Sequence, residues 1–176
     1  MRSYMVHKMF VLYYNSLILS RIDYCLHIWG AAPLTSLNEI YKLQKRLGRM
    51  ILNLKMDTPS VALFEKLGWM TIYERIAYQR GVFLYNILNG NGPTCLLNFF
   101  SYVNCQSHTL RSGTHGKLYL PRPRGTFFLN CLNYAGASLW NCMPDKIRNA
   151  RNIMEFKYLY KRYILDSVGC MSLSNM

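Results

Sequence analysis

The segment from Ser36 to Lys55 constrains the fold more than any other part of this sequence. Ser36, followed three residues later by Glu39, has the pattern of a capping box. In that motif each side chain satisfies a backbone N–H that the start of a helix leaves without a partner. At about 100° per residue, Leu37, Ile40, Leu43, Leu47, Ile51 and Leu54 share one face, while Lys42, Lys45, Arg46 and Arg49 lie opposite within an arc of about 100°. Gly48 lowers helix stability slightly. A helix patterned this way must find apolar surface elsewhere in the chain.

The rest of the sequence supplies it. Residues 4–29 read as one or two helices with apolar side chains on most faces, which predicts burial. Their aromatic and β-branched residues leave a strand reading open. Gly30 and Pro33 stop this segment. Pro59 opens a short helix to Leu67, which Gly68 ends. Thr71 and Glu74 form a second capping box, starting a helix to about Asn89. Asn89-Gly90-Asn91-Gly92-Pro93 is an emphatic stop. Residues 93–128 hold Gly113, Gly116, Pro121, Pro123 and Gly125 among Arg111, Lys117, Arg122 and Arg124, the composition of a basic loop. Short extended pieces are expected at Leu118–Leu120 and near Thr126–Phe128. Residues 130–141 can be helical around Gly136, and Pro144 starts a turn or short helix. Asn152 and Glu155 repeat the capping pattern, after which Ile153, Phe156, Leu159, Tyr160 and Tyr163 line one face and Lys157, Lys161 and Arg162 stay outside. No internal repeat is present.

The expected fold is therefore mainly α: a helical bundle with an irregular basic loop carrying at most one short β-hairpin. Its segments are a bundle over 1–92, the loop over 93–128, a helical segment over 129–168 and a disordered tail over 169–176.

Charge narrows the function. Twenty-one Lys and Arg face eight Asp and Glu, a formal net charge of +13. A chain with that excess repels itself unless an anionic partner neutralises it. Nucleic acid is the first candidate, an anionic membrane surface the second, and plain solubility the alternative. Fourteen Tyr and three Trp favour the first, since aromatics offer stacking surface beside cations, although aromatics more often fill cores. The basic face at Lys42, Lys45, Arg46 and Arg49 and the loop cations Arg111, Lys117, Arg122 and Arg124 are the candidate phosphate contacts. Like charges this close repel by a few tenths of a kcal/mol per pair, and a phosphate backbone relieves the repulsion. Trp29, Tyr134 and Trp140 read as packing residues, with nucleotide stacking on Trp140 as the alternative.

Catalytic chemistry is hard to find. Metal-dependent phosphoryl transfer needs converging carboxylates. The acids are Asp23, Asp57, Asp145, Asp166, Glu39, Glu65, Glu74 and Glu155, and no two are adjacent or two apart. The six Cys, at 25, 95, 105, 131, 142 and 170, include no two-residue spacing of a zinc knuckle or redox motif. Cys95, Cys105, His108 and His115 could supply four zinc ligands, but their spacing matches no common finger, so an incidental polar loop is expected and no metal. No nucleophile elbow and no phosphate-cradling glycine loop appears. Met9–Ser20, twelve uncharged residues between Lys8 and Arg21, imitates a signal peptide. It lacks a small-residue cleavage site, Tyr13, Tyr14 and Asn15 interrupt it, and it is too short to span a bilayer as a helix. A reduced intracellular compartment, nuclear or cytoplasmic, is expected rather than secretion.

An ordered series of short motifs resembles one family. Leu12-Tyr13-Tyr14-Asn15-Ser16-Leu17-Ile18, Asp23-Tyr24-Cys25, Ile28-Trp29-Gly30 and Leu43-Gln44-Lys45-Arg46 resemble a run late in the reverse transcriptases of LINE-type, jockey-like non-LTR retrotransposons. His108, Arg111-Ser112, Leu120-Pro121, Arg124-Gly125-Thr126, Leu139-Trp140-Asn141, Met143-Pro144, Ile147-Arg148 and Phe156-Lys157 resemble that family's C-terminal region in the same order. The resemblance covers nearly the whole chain. It implies a thumb-like bundle over 1–92 and places the polymerase palm, with its paired metal-binding Asp and Mg²⁺, upstream of these motifs. The implied function is a non-catalytic C-terminal piece of an RNA-directed DNA polymerase. It would hold no cofactor of its own and would bind RNA or an RNA–DNA hybrid without sequence preference. Its expected partners are that nucleic acid and the missing palm, with no small-molecule substrate and no membrane. The rival expectations are a protein-interaction module docking through its apolar N-terminal helix, a host protein that has adopted the region, and a functionless transposon remnant.

Overall fold

A computed structural model describes residues 7–103, 116–123 and 125–166. The fold is mainly α-helical, and among the described residues the only β-pairing is a single antiparallel bridge between Tyr102 and Leu118. The chain divides into two compact units, residues 1–76 and 77–176. The division falls at Ile76, ahead of the Gly/Pro punctuation near residue 92 on which the sequence-based segments were drawn.

The first unit begins with α1 (His7–Tyr13), which runs through a π-helical stretch at Tyr14–Leu19 into α2 (Ser20–Asp23). Cys25, in the left-handed region at φ 52°, turns the chain into α3 (Leu26–Trp29). This segment was expected to be buried. Among its described residues only Tyr14 and Leu26 are, whereas Met9, Leu12, Tyr13, Leu17, Tyr24 and Ile28 are more than half exposed. A helix buries only the stripe that meets a neighbour, and the described residues of this unit cover just one.

Next comes α4 (Leu34–Leu52), followed by α5 (Ser60–Leu67). The capping box expected at Ser36 and Glu39 does not form. Pro33 (φ −55°, ψ 145°) occupies the cap position, so Ser36 already lies within the first turn, and Glu39 instead pairs with Lys42 at 2.8 Å. Nor is the buried line of α4 the expected one. It runs through Leu37, Gln44 and Gly48, while Leu43 is 55% exposed. Those buried positions lie about 60–70° round the helix from the middle of the apolar face. Gly48 explains part of the shift, because a Cβ there would meet the Leu63 and Leu67 side chains of α5 at 3.1 Å. Gln44 explains the rest. Its Nε2 donates to the Tyr14 hydroxyl (3.1 Å) and its Oε1 accepts from the backbone N–H of Ile72 (2.9 Å).

Ile72 opens α6 (Ile72–Leu88), and the capping box predicted there is present: Thr71 N–H donates to Glu74 Oε2 (2.9 Å) and Glu74 N–H to Thr71 Oγ1 (3.3 Å). Among the described residues, two small apolar clusters lie in the first unit. Leu26, Leu37, Ile72 and Ile76 form one, and Tyr14, Phe64 and Trp69 the other, where the Tyr14 and Trp69 rings stack with centroids 3.7 Å apart. Asp23 and Arg75 make a two-pronged ion pair.

The second unit holds a larger core. The unit runs from Ala77 through the rest of α6, α7 (Thr94–Leu97), α8 (Thr126–Asn130), a π-helical turn at Leu132–Gly136, α9 (Ala137–Cys142), α10 (Asp145–Arg148) and α11 (Ile153–Asp166), and its core draws on α6, α9, α10, α11 and the chain at Leu118. Leu84, Tyr85, Leu118, Trp140, Met143, Phe156, Tyr160 and Ile164 are buried together. Gly81 is required here, since any Cβ would strike the Tyr160 ring. The Tyr160 hydroxyl donates to the Ala77 carbonyl (3.1 Å). Thr126–Phe128, expected to be extended, is helical instead, as the first turn of α8, where the Phe128 N–H bonds the Gly125 carbonyl (3.1 Å). At α11 the expected cap half-forms. Asn152 accepts from Glu155 N–H (2.8 Å), but the Glu155 carboxylate reaches past it to Arg151 N–H (2.8 Å). Leu118 pairs on two sides. The bridge to Tyr102 uses bonds from Val103 N–H to Lys117 O (3.0 Å) and from Tyr119 N–H to Ser101 O (2.7 Å). Leu118's own N–H and C=O point the other way and bond the Asn141 amide, both at 2.8 Å.

Replacing Gln44 by Met keeps the volume but strands the Ile72 N–H and the Tyr14 hydroxyl. A loss of about 2–4 kcal/mol is expected in urea denaturation, and a loss below about 0.5 kcal/mol would contradict the bridging role. Burial also holds the Tyr160 hydroxyl's pKa above its ordinary value. The unfolded chain therefore ionises from about pH 10 while the folded chain keeps this proton, and stability falls as the pH rises from there. Tyr160→Phe should cost about 1 kcal/mol at neutral pH and show a shallower alkaline decline; an undiminished decline would assign it to other groups.

Candidate nucleic-acid interface

The rotation of α4 decides which of its cations are available. Lys42 and Arg46, one turn apart, point outward and are exposed, whereas Lys45 and Arg49 are half-buried. Lys45 Nζ sits 4.4 Å from the centroid of the Tyr41 ring, a cation–π contact that still leaves the ammonium reachable. Arg49 is committed elsewhere. Its Nη2 donates to the Thr58 carbonyl (3.0 Å), tying the loop after α4 back to the helix, and its Nε is buried without a hydrogen-bond partner. Lys42 shares its charge with Glu39, the only acid on α4. Arg46 makes no ion pair among the described residues. The expected four-cation face is thus an outer pair, Lys42 and Arg46, flanked by Lys45, with Arg49 as a structural clamp.

In the second unit, Lys117 is half-buried beside the Tyr102 bridge and Arg122 is exposed. Arg111 and Arg124 lie outside the described residues, so the proposed loop cluster is placed only through these two members. The same holds for Cys105, His108 and His115 of the possible zinc set. Among the described residues no group of His, Cys, Asp and Glu could hold a metal ion, and Cys25, Cys95, Cys131 and Cys142 are free thiols.

Several cations counted in the net charge are not open to a polyanion. Arg75 is bound to Asp23, and Arg148 to Asp145 with its own side chain only 7% exposed. Arg80 is 4% exposed, gives one bond to the Asn130 carbonyl (3.2 Å) and has its guanidinium pKa pushed down by burial. The helix pattern of the sequence gave no sign of this buried arginine. By contrast, Lys157 and Lys161 stand exposed one turn apart on α11, as the sequence predicts.

Aromatic stacking is less available than the composition suggests. Trp140 is 4% exposed, packs near Phe156 with ring centroids 6.3 Å apart, and gives its indole N–H to the Gly116 carbonyl (3.0 Å). A nucleotide cannot stack on it. Trp29 and Tyr134 are half-buried, and the Trp29 indole bonds the Tyr24 carbonyl (2.8 Å). No helix of the described residues is long and apolar enough to cross a membrane. No family model matches this chain, and no curated protein or solved structure matches it.

The two neighbouring arginines of α4 separate structure from binding. Arg49→Ala should lower stability by about 1–2 kcal/mol by freeing the Thr58 loop, while Arg46→Ala stays within about 0.5 kcal/mol of the parent in the same thermal or urea measurement. Equal losses would mean that Arg49 is not the clamp.

Proposed function

We infer that this chain binds RNA or an RNA–DNA hybrid without sequence preference, as a non-catalytic C-terminal piece of a LINE-type reverse transcriptase. The observation that carries the reading is the outward pair Lys42 and Arg46, with Lys45 beside it and a single acid on the helix. Three cations within about one turn match the close spacing of backbone phosphates, and their mutual repulsion is relieved when a polyanion docks and releases its counterions. Arg122 in the first half of the second unit and the Lys157/Lys161 pair on α11 offer further phosphate contacts. The family assignment rests on the ordered motif series quoted from the sequence. Several of those residues have structural work: Gln44 bridges three segments, and Trp140 and Asn141 anchor the backbone at Gly116 and Leu118. In this reading the polymerase chemistry and its Mg²⁺ belong to a separate palm, and the chain works inside a cell on nucleic acid made there.

The test is a salt series of RNA and hybrid binding. Lys42, Lys45 and Arg46 replaced together by Gln should flatten the plot of log affinity against log salt by about 2–3, with Arg49 left in place to protect the fold. An unchanged slope removes this face from the interface. Primer extension with Mg²⁺ or Mn²⁺ should yield no product from the chain alone, and any templated extension would overturn the non-catalytic assignment.

A further inference from the structure

The rotation of α4 that buries Gln44 leaves the other half of its apolar face only partly covered, with Ile40 and Leu47 at the edge of the core and Leu43 outside it. Ile40, Leu43 and Leu47 line an open groove of about 780 Å³ with Leu17, Ile18 and Ile22 of the preceding helical segment, and Trp29 borders it. Gln44 contributes to the floor with both of its polar ends already bonded. Leu17 and Leu43 are 51% and 55% exposed. Two arginines, Arg21 and Arg46, also line the groove, and both are exposed. Neither has an ion pair among the described residues, because the acids nearest them in sequence are engaged: Asp23 with Arg75 and Glu39 with Lys42.

We propose that this groove receives an amphipathic, acidic α-helix of a partner protein. Two helical segments standing side by side leave a valley whose ridges accept a third helix, the arrangement of helix-in-groove recognition. The apolar walls select a partner stripe with anchors at i, i+3 or i+4, and i+7. Uncompensated arginines at the walls select carboxylates beside that stripe. An acyl chain would leave one side in water in a groove this open, whereas an amphipathic helix covers the apolar walls and presents its own polar face outward. The nucleic-acid reading is not needed for this surface, but Arg46 would serve both, so the two ligands should compete.

The probe is a synthetic helical peptide of about five turns, with Leu at the anchor positions and Glu flanking them, labelled for fluorescence anisotropy against the full chain. A second peptide carries Lys in place of Glu. The acidic peptide should bind and the basic one should not. Leu43→Gln, which changes no charge and therefore leaves the RNA salt slope alone, should weaken the acidic peptide about tenfold. Arg21→Glu with Arg46→Glu should weaken it about tenfold and admit the basic peptide. Circular dichroism checks that each variant is folded, and Leu17→Gln replaces Leu43→Gln if the latter is not. Equal binding of the two peptides, or acidic binding untouched by both variants, overturns the proposal. So does a concentration-dependent dimer that Leu43→Gln abolishes, or binding of anionic vesicles with none of the acidic peptide.

Discussion

A glutamine amide buried inside a helical unit is costly unless both of its ends are bonded, and Gln44 meets that condition through groups far apart in the sequence. One end reaches the Tyr14 hydroxyl, the other the first N–H of α6. Helix starts leave several such N–H groups without partners. At α6, Glu74 takes that of Thr71, Gln44 that of Ile72 and Thr71 that of Glu74. The start of α6 is therefore satisfied partly from within and partly from another helix. Because Gln44 must face inward, Leu37 and Gly48 face inward with it, and the rest of α4 is set by that choice.

The distribution of charge follows from the same rotation. Arg49 and Lys45 move toward the packed side, where one holds a loop and the other lies over a tyrosine. Lys42 and Arg46 remain outermost, and Leu43 and Leu47, expected in the core, line a groove beside them. Net charge is thus a poor measure of interface. Arg75, Arg80 and Arg148 count toward it and are spent inside the fold.

Much of the helical layout was legible. Thr71/Glu74, Gly68, the Asn89–Pro93 stop and the face of α11 all act through local chemistry, and each is where the sequence places it. The misreadings share one cause. Ser36/Glu39 satisfies the capping pattern, but Pro33 starts the helix earlier; the apolar face of α4 is real, but Gln44 and Gly48 decide which part of it is buried. A periodicity count treats a glutamine as surface and a glycine as a weak point. It cannot see that one has two distant partners and the other admits a neighbouring helix. The exposed side of the first helices was misjudged for the same reason, since apolar content does not reveal how many neighbours are present. At the candidate interface the cations were identifiable as a group, but their separation into free, stacked and structural members depends on Thr58, Tyr41 and Glu39, contacts made by geometry.

The pairing of Leu118 has a bearing on how the chain behaves among copies of itself. A strand with one paired side normally offers its other side to any passing chain, and proteins guard such borders with charge, proline or a covering element. Here the outward N–H and C=O of Leu118 are both taken by the amide of Asn141, which presents one donor and one acceptor in the manner of a neighbouring strand. One side chain from α9 fills the place of a third strand and leaves no ladder rung open at that residue. The same contact that anchors the segment also closes the spot where an intermolecular sheet could begin.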